Sequence, residues 1–154
     1  MKKNDLLELI ILAVLYANKE GNGIQRKDLL DELEAKYLNP HHFGLQNTIS
    51  SSNTITSTRK MGEWVVTTLC EAEFITRIEH GIYKINDKGM ERLLELLAIL
   101  EDLLNNAEII DDAEEIEVFL SENGIELLKQ LCKELQEEIA QHLAAKVREK
   151  MNNS

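Results

Sequence analysis

The chain has 154 residues, 44% of them hydrophobic, with one proline, seven glycines, two cysteines and a formal net charge of −11. That length suits one domain, or one small domain with a helical appendage, and so little glycine and proline excludes a loop-rich or all-β chain. Two distant thiols, Cys70 and Cys132, exclude a disulfide framework and suit a reducing, cytoplasmic setting. The charge is uneven: residues 1–95 hold 12 basic against 14 acidic residues, and residues 96–154 hold 5 against 14. Any surface for a polyanion therefore belongs to the first part.

Lys2 and Lys3 precede the apolar run Leu6 to Ala17 in the manner of a secretory leader. Asp5 and Glu8 interrupt it, however, and no small-x-small cleavage site follows. Leu6, Leu7, Ile10, Ile11, Val14 and Leu15 recur at helical spacing, which predicts an amphipathic core helix from Asp5 to Asn18. No stretch is long enough to span a membrane, so no membrane partner is expected. Gly21-Asn22-Gly23 breaks the chain, and a second helix follows from Gln25 to Tyr37, with Leu29, Leu30, Leu33 and Tyr37 inward. Arg26 and Lys27 occupy its first turn, where the helix dipole does not favour cations. They read as phosphate contacts or as a solvated basic turn.

Residues 39–58 are dense in Asn, Ser and Thr and read as a long polar loop, with a short helical turn near Phe43 to Ile49. His41-His42 lacks partner ligands at metal spacing, so neither a metal nor another cofactor is expected. A third helix is predicted from Thr58 to Ala72, capped by Ser57 or Thr58. Its buried stripe reads as Met61, Trp64, Val65, Thr68 and Leu69, and its outer face as Arg59, Glu63, Val66, Thr67 and Cys70. Two strands, Phe74 to Glu79 and Ile82 to Ile85, make a hairpin turning at His80-Gly81.

A fourth helix starts at Asn86 or Asp87 and reaches Leu104. From Leu93 onward it is polar only at Glu95, Glu101 and Asp102, so it must be buried on more than one side. The C-terminal helices, a second protomer, or both supply the cover. Glu114 to Ser121 reads as a short helix, ended by Asn123-Gly124. A last helix from Ile125 to Lys150 carries the stripe Ile125, Leu128, Cys132, Leu135, Ile139, Leu143 and Val147, which suits a bundle or a short coiled coil.

Three helices followed by a hairpin make a winged helix-turn-helix. The expected class is mainly α, an α+β winged helix with a two-stranded wing over residues 1–90. An acidic helical extension follows over 91–154. The third helix would enter a DNA major groove and the wing would reach the neighbouring backbone. Candidate DNA contacts are Arg26, Lys27, Thr58, Arg59, Lys60, Thr67, Arg77, His80 and Lys84, with Glu63 as an acceptor for a cytosine amino group and Val66 and Thr67 against a thymine methyl. Leu96, Ile99, Leu103, Leu128, Leu135 and Ile139 are the candidate seam of a homodimer.

The segment Met61-Gly62-Glu63-Trp64-Val65-Val66-Thr67-Thr68-Leu69-Cys70-Glu71-Ala72-Glu73-Phe74-Ile75 resembles the recognition helix in the N-terminal domain of Mrr-type restriction proteins. Gly81-Ile82-Tyr83-Lys84-Ile85-Asn86-Asp87-Lys88-Gly89 resembles that family's wing, and Arg26-Lys27-Asp28-Leu29-Leu30 its second helix. The likeness covers residues 5–95 and implies a DNA-binding domain without the nuclease domain of the full-length proteins. Where that family carries Lys-Lys or Lys-Ala before the first strand, this chain has Glu71-Ala72-Glu73. PadR-like regulators share the strand-to-helix pattern and add a dimerising helix, so they are a second resemblance.

The expected function is thus a dimeric DNA-binding transcriptional regulator. The alternative is a protein-interaction module whose acidic tail binds a basic partner or mimics DNA. No phosphate loop, nucleophile elbow or Cys/His pairing appears, so no enzyme is expected.

Overall fold

In a computed structural model the described residues are 3–38, 52–105 and 122–153. In chain order they form α1 (Lys3–Ala17), β1 (Ile24–Gln25), α2 (Arg26–Leu38), α3 (Ser52–Glu71), β2 (Ile75–Glu79), β3 (Ile82–Ile85), α4 (Asp87–Asn105) and α5 (Glu122–Asn152). Residues 39–51 of the polar loop expected over 39–58, with its helical turn and the His41-His42 pair, and the Glu114 to Ser121 helix lie outside these residues, while residues 52–58 of that loop are helical.

The central element is α1. Its predicted stripe is buried, and so are Leu9, Leu12 and Tyr16. A helix this apolar needs cover on every side, and α1 packs against α2, α3, α4 and β3.

The sheet has three strands in the order β1-β3-β2, all antiparallel. The third strand is a correction: Ile24 pairs with Tyr83 and Gln25 with Ile82, so Gln25 ends a strand instead of opening the second helix. Two residues are too few to leave a periodic signal. Gly23 precedes them with φ 97°, and a Cβ there would stand 2.9 Å from the Tyr83 carbonyl oxygen. Between β2 and β3 the register shifts between Arg77 and Glu79, leaving Ile78 at a bulge and exposed.

Two helix boundaries also differ from expectation. The third helix begins at Ser52, so Thr58 lies inside α3 and is no cap. Ser and Thr cost a helix only about half a kcal/mol per residue, which tertiary packing readily offsets. The last helix runs through Asn123-Gly124 from Glu122. One helical glycine costs only about 1 kcal/mol.

Asn86 caps α4: its Oδ1 accepts from the Gly89 N–H at 2.8 Å, and its Nδ2 donates to the Glu73 carbonyl at 2.7 Å. The same side chain therefore ties the helix start to the end of α3.

Helix α4 is covered from two sides, by α1 and by α5, as its all-round apolar sequence requires. Helix α5 folds back antiparallel on α4. Gln136 donates to Glu101 near one end, and Lys146 donates to Asp87 at 2.6 Å near the other. The Lys146 ammonium holds the Asp87 carboxyl below its ordinary pKa. Tyr16 on α1 also reaches α5, donating to Glu138 at 3.2 Å, with the Lys19 ammonium 4.0 Å above its ring and the His142 ring edge-on to it. Burial and the Glu138 carboxylate push the Tyr16 hydroxyl up to about 12.

This geometry corrects the dimer seam. Leu96 and Ile139 are fully buried within one chain, Leu135 packs against the same core and Leu103 is half-buried. Ile99 is 42% exposed, and the Leu128 side chain lies outside the described residues. The boundary at residue 90 does not divide the core either, since one cluster runs from Leu6 in α1 through Leu104 in α4 to Ile139 in α5. The described residues form a mainly α fold with a small three-stranded β wing, and α4 and α5 are built into the same core.

Burial raises both thiols, that of Cys132 to about 12; around Cys70, Arg26 and Arg77 partly oppose it. At pH 8 a thiol-reactive disulfide reagent should label Cys70 slowly and leave Cys132 unlabelled until the fold opens. Rapid native labelling of Cys132 would mean that α5 leaves α4 readily.

Candidate nucleic-acid interface

The inner face of α3 is set by Gly62, Val65, Val66 and Leu69, all buried. Gly62 is the fulcrum: a Cβ there would meet Leu33 Cδ2 at 2.4 Å and Leu30 Cδ2 at 3.1 Å, so α2 and α3 approach closely at this point. That contact turns the helix by roughly one residue, or 100°, from the expected stripe. Trp64, expected inside, is 71% exposed, and Thr68 is exposed too. Val66, expected on the outer face against a thymine methyl, is fully buried and is withdrawn from the interface.

The outward face of α3 consists of Lys60, Glu63, Trp64, Thr67, Thr68 and Glu71. The threonine hydroxyls are engaged with the helix itself. Thr67 donates to the Glu63 carbonyl at 3.1 Å and Thr68 to the Trp64 carbonyl at 3.0 Å.

The expected cations divide into groups. Arg59 is turned onto α2, donating to Asp31 at 2.8 Å and Glu34 at 3.0 Å. Those bonds hold its guanidinium above its ordinary pKa and make Arg59 a clasp between α2 and α3. Arg26 reaches across from the start of α2, donating to the Glu63 carbonyl at 3.0 Å and, at 3.5 Å, to the Tyr83 hydroxyl of the wing. It lies at the place where α2, α3 and the wing meet. Lys27 is exposed and shares one flank of α2 with Asp31 and Glu34, at i, i+4 and i+7.

On the wing, Arg77 lies opposite Tyr83, on the α3 side of the sheet, and donates to His80 Nδ1. Lys84 is not with them. Tyr83 and Ile85 face the core, so Lys84 between them points to the other side of the sheet, near where a Cβ on Gly23 would stand. Glu63 stays on the outward face as expected. The Thr58 side chain lies outside the described residues. The structure thus brings Arg26, Lys60, Glu63, Thr67 and Arg77 together with Trp64. Sequence periodicity missed Trp64, because two overlapping apolar arcs on α3 satisfy the same spacing.

The acidity of the extension is not a property of α5. Its sequence carries six carboxylates against five cations. The surplus lies in residues 106–121, where Glu108, Asp111, Asp112, Glu114, Glu115 and Glu117 meet no lysine or arginine.

Among the described residues, no group of three or more His, Cys, Asp or Glu is placed to hold a metal ion. No helix among them is long and apolar enough to cross a membrane. No protein-family model matches the chain, and no curated protein or solved structure is significantly similar to it.

Proposed function

We propose that this chain is a DNA-binding regulator of the winged-helix type that lays the outward face of α3 in the major groove. One observation carries the reading: α3 presents an exposed face at whose edge Arg26, bonded to the Glu63 carbonyl, and the wing residue Arg77 supply cations. A helix offered in this way matches the groove in shape, and cations at its margins meet phosphates. The two free thiols suit a cytoplasmic setting. With Leu96 and Ile139 already buried within the chain, the reading is built on one recognition helix per chain, and a homodimer would use surfaces other than those two residues.

Fluorescence anisotropy with a mixed-sequence labelled duplex across a salt series tests this. Affinity should fall steeply with salt, and Lys60→Ala/Arg77→Ala should flatten the log–log slope by about 2. Arg59→Ala should leave the slope unchanged and lower thermal stability instead. A wild-type protein that ignores duplex DNA at low salt would sink the proposal.

A second reading, a protein-docking scaffold, is favoured by the exposed indole of Trp64 between Glu63 and Glu71. Exposed tryptophans are frequent anchors of protein interfaces, and the flanking carboxylates suit a basic partner. The acidic segment 106–121 is a second place for such a partner to bind.

A further inference from the structure

We propose that the outward face of α3 reads thymine 5-methyl groups, with Trp64 as the anchor, so that the protein favours A·T-rich duplexes through the major groove. This rests on the DNA-binding reading and names what the same face recognises.

The chemistry of the face selects the target. Trp64 is the large apolar group on it, 71% exposed on α3 one turn after Lys60. One turn later Thr67 and Thr68 follow, their hydroxyl protons already given to the Glu63 and Trp64 carbonyls. A threonine hydroxyl bound back to the preceding turn has no proton left for a base, and what it offers outward is its methyl group beside an oxygen that can only accept. Trp64, Thr67 and Thr68 therefore form an apolar and methyl-bearing strip.

Guanine is best read by a bidentate arginine on its O6 and N7 atoms. The two arginines nearest this helix are occupied, Arg59 with Asp31 and Glu34, and Arg26 with the Glu63 carbonyl. The apolar group that the major groove displays is the thymine methyl. The indole N–H, a donor only, matches the thymine O4 or adenine N7 acceptors beside it. Lys60 on the face and Arg26 and Arg77 at its edge supply the charge complementarity that holds the helix to the phosphates.

The experiment compares three duplex polymers at one low salt concentration: alternating poly(dA-dT), alternating poly(dA-dU), which lacks only the thymine methyls, and alternating poly(dG-dC). Trp64 is the single tryptophan of the chain, so its own fluorescence reports engagement beside the binding curves. Wild type should bind poly(dA-dT) more tightly than poly(dA-dU), by roughly fourfold for each methyl in contact. It should bind poly(dG-dC) least, and the indole emission should shift to shorter wavelength on poly(dA-dT). Trp64→Ala should bind the first two polymers alike, while Trp64→Phe keeps part of the difference. Circular dichroism of both variants shows that the exposed substitution leaves the fold intact.

Equal wild-type affinity for poly(dA-dT) and poly(dA-dU) would overturn the methyl-reading inference and leave DNA binding standing. A methyl-dependent difference that survives in Trp64→Ala would remove Trp64 as the anchor. No binding to any of the three would overturn the DNA-binding reading as well and turn the search to a protein partner for Trp64.

Discussion

Gly89→Ala is expected to destabilise the protein by about 3 kcal/mol or more, because it overpacks a site with no room to yield. A Cβ at Gly89 would stand 2.0 Å from the Phe74 carbonyl oxygen and 2.9 Å from Ile85 Cγ1. The obstacle is backbone, so no rotamer change relieves it. Phe74 is itself held, its N–H donating to the Leu69 carbonyl at the end of α3. Moving α4 outward would also stretch the Asn86 cap on Gly89. For a chain of this size the loss lowers the thermal midpoint by roughly 10 °C. Gly81→Ala is the control. It too removes a glycine, but nothing lies within 4 Å of its Cβ, and only its left-handed φ of 76° opposes alanine. That costs about 1 kcal/mol. Similar midpoints for the two variants would mean that α4 does not press on the strand entry as closely as its position requires.

The second large effect concerns α5. Ile139→Ala should cost about 2–5 kcal/mol, from lost burial and the cavity left behind. Ile139 is fully buried in the cluster that also holds Leu96, Leu97 and Leu100. Because that cluster is formed within one chain, the unfolding midpoint of wild type and variant should not move with protein concentration. The alternative, a seam between two chains, makes stability depend on protomer concentration. A midpoint that rises with concentration in wild type, and loses that rise in Ile139→Ala, would restore the dimer seam that the sequence suggests.

Much of the fold was legible because α1, α4 and the wing carry strong local signals. All six residues of the stripe read on α1, from Leu6 to Leu15, are buried, with Leu9, Leu12 and Tyr16 buried beside them. Asn86 announces the start of α4 through its capping chemistry. The β2–β3 hairpin shows partial alternation around a His80-Gly81 turn, and Gly81 has the positive φ that such a turn needs. Helix α4 reads as doubly covered from composition alone, and it is.

The candidate site was legible by element and not by residue. Spacing puts α3 in the right place, yet Met61-Trp64-Val65-Thr68-Leu69 and Gly62-Val65-Val66-Leu69 are both acceptable helical stripes. Local periodicity cannot choose between two arcs that overlap. Arg59 and Arg26 were both recognisable as cations near the groove-facing helix, but where each guanidinium turns depends on partners 25 or more residues away, the Asp31 and Glu34 carboxylates for Arg59 and the Tyr83 hydroxyl for Arg26. Lys84 is a basic residue in the wing by sequence, and the pleat of β3 sends it to the other side of the sheet.

The sequence by itself determined the order of the described helices and of the β2–β3 hairpin, the mainly α class with a small β wing, the start of α4 and the apolar character of its faces, because these depend on spacing, capping and turn chemistry within a few residues. The tertiary structure decided the rotation of α3, the exposure of Trp64, the withdrawal of Arg59 into a clasp and the return of α5 onto its own chain. Each of these follows from contacts between distant segments. The close approach at Gly62 sets the phase of α3, and α4 with α1 gives α5 a surface on which to bury Ile139.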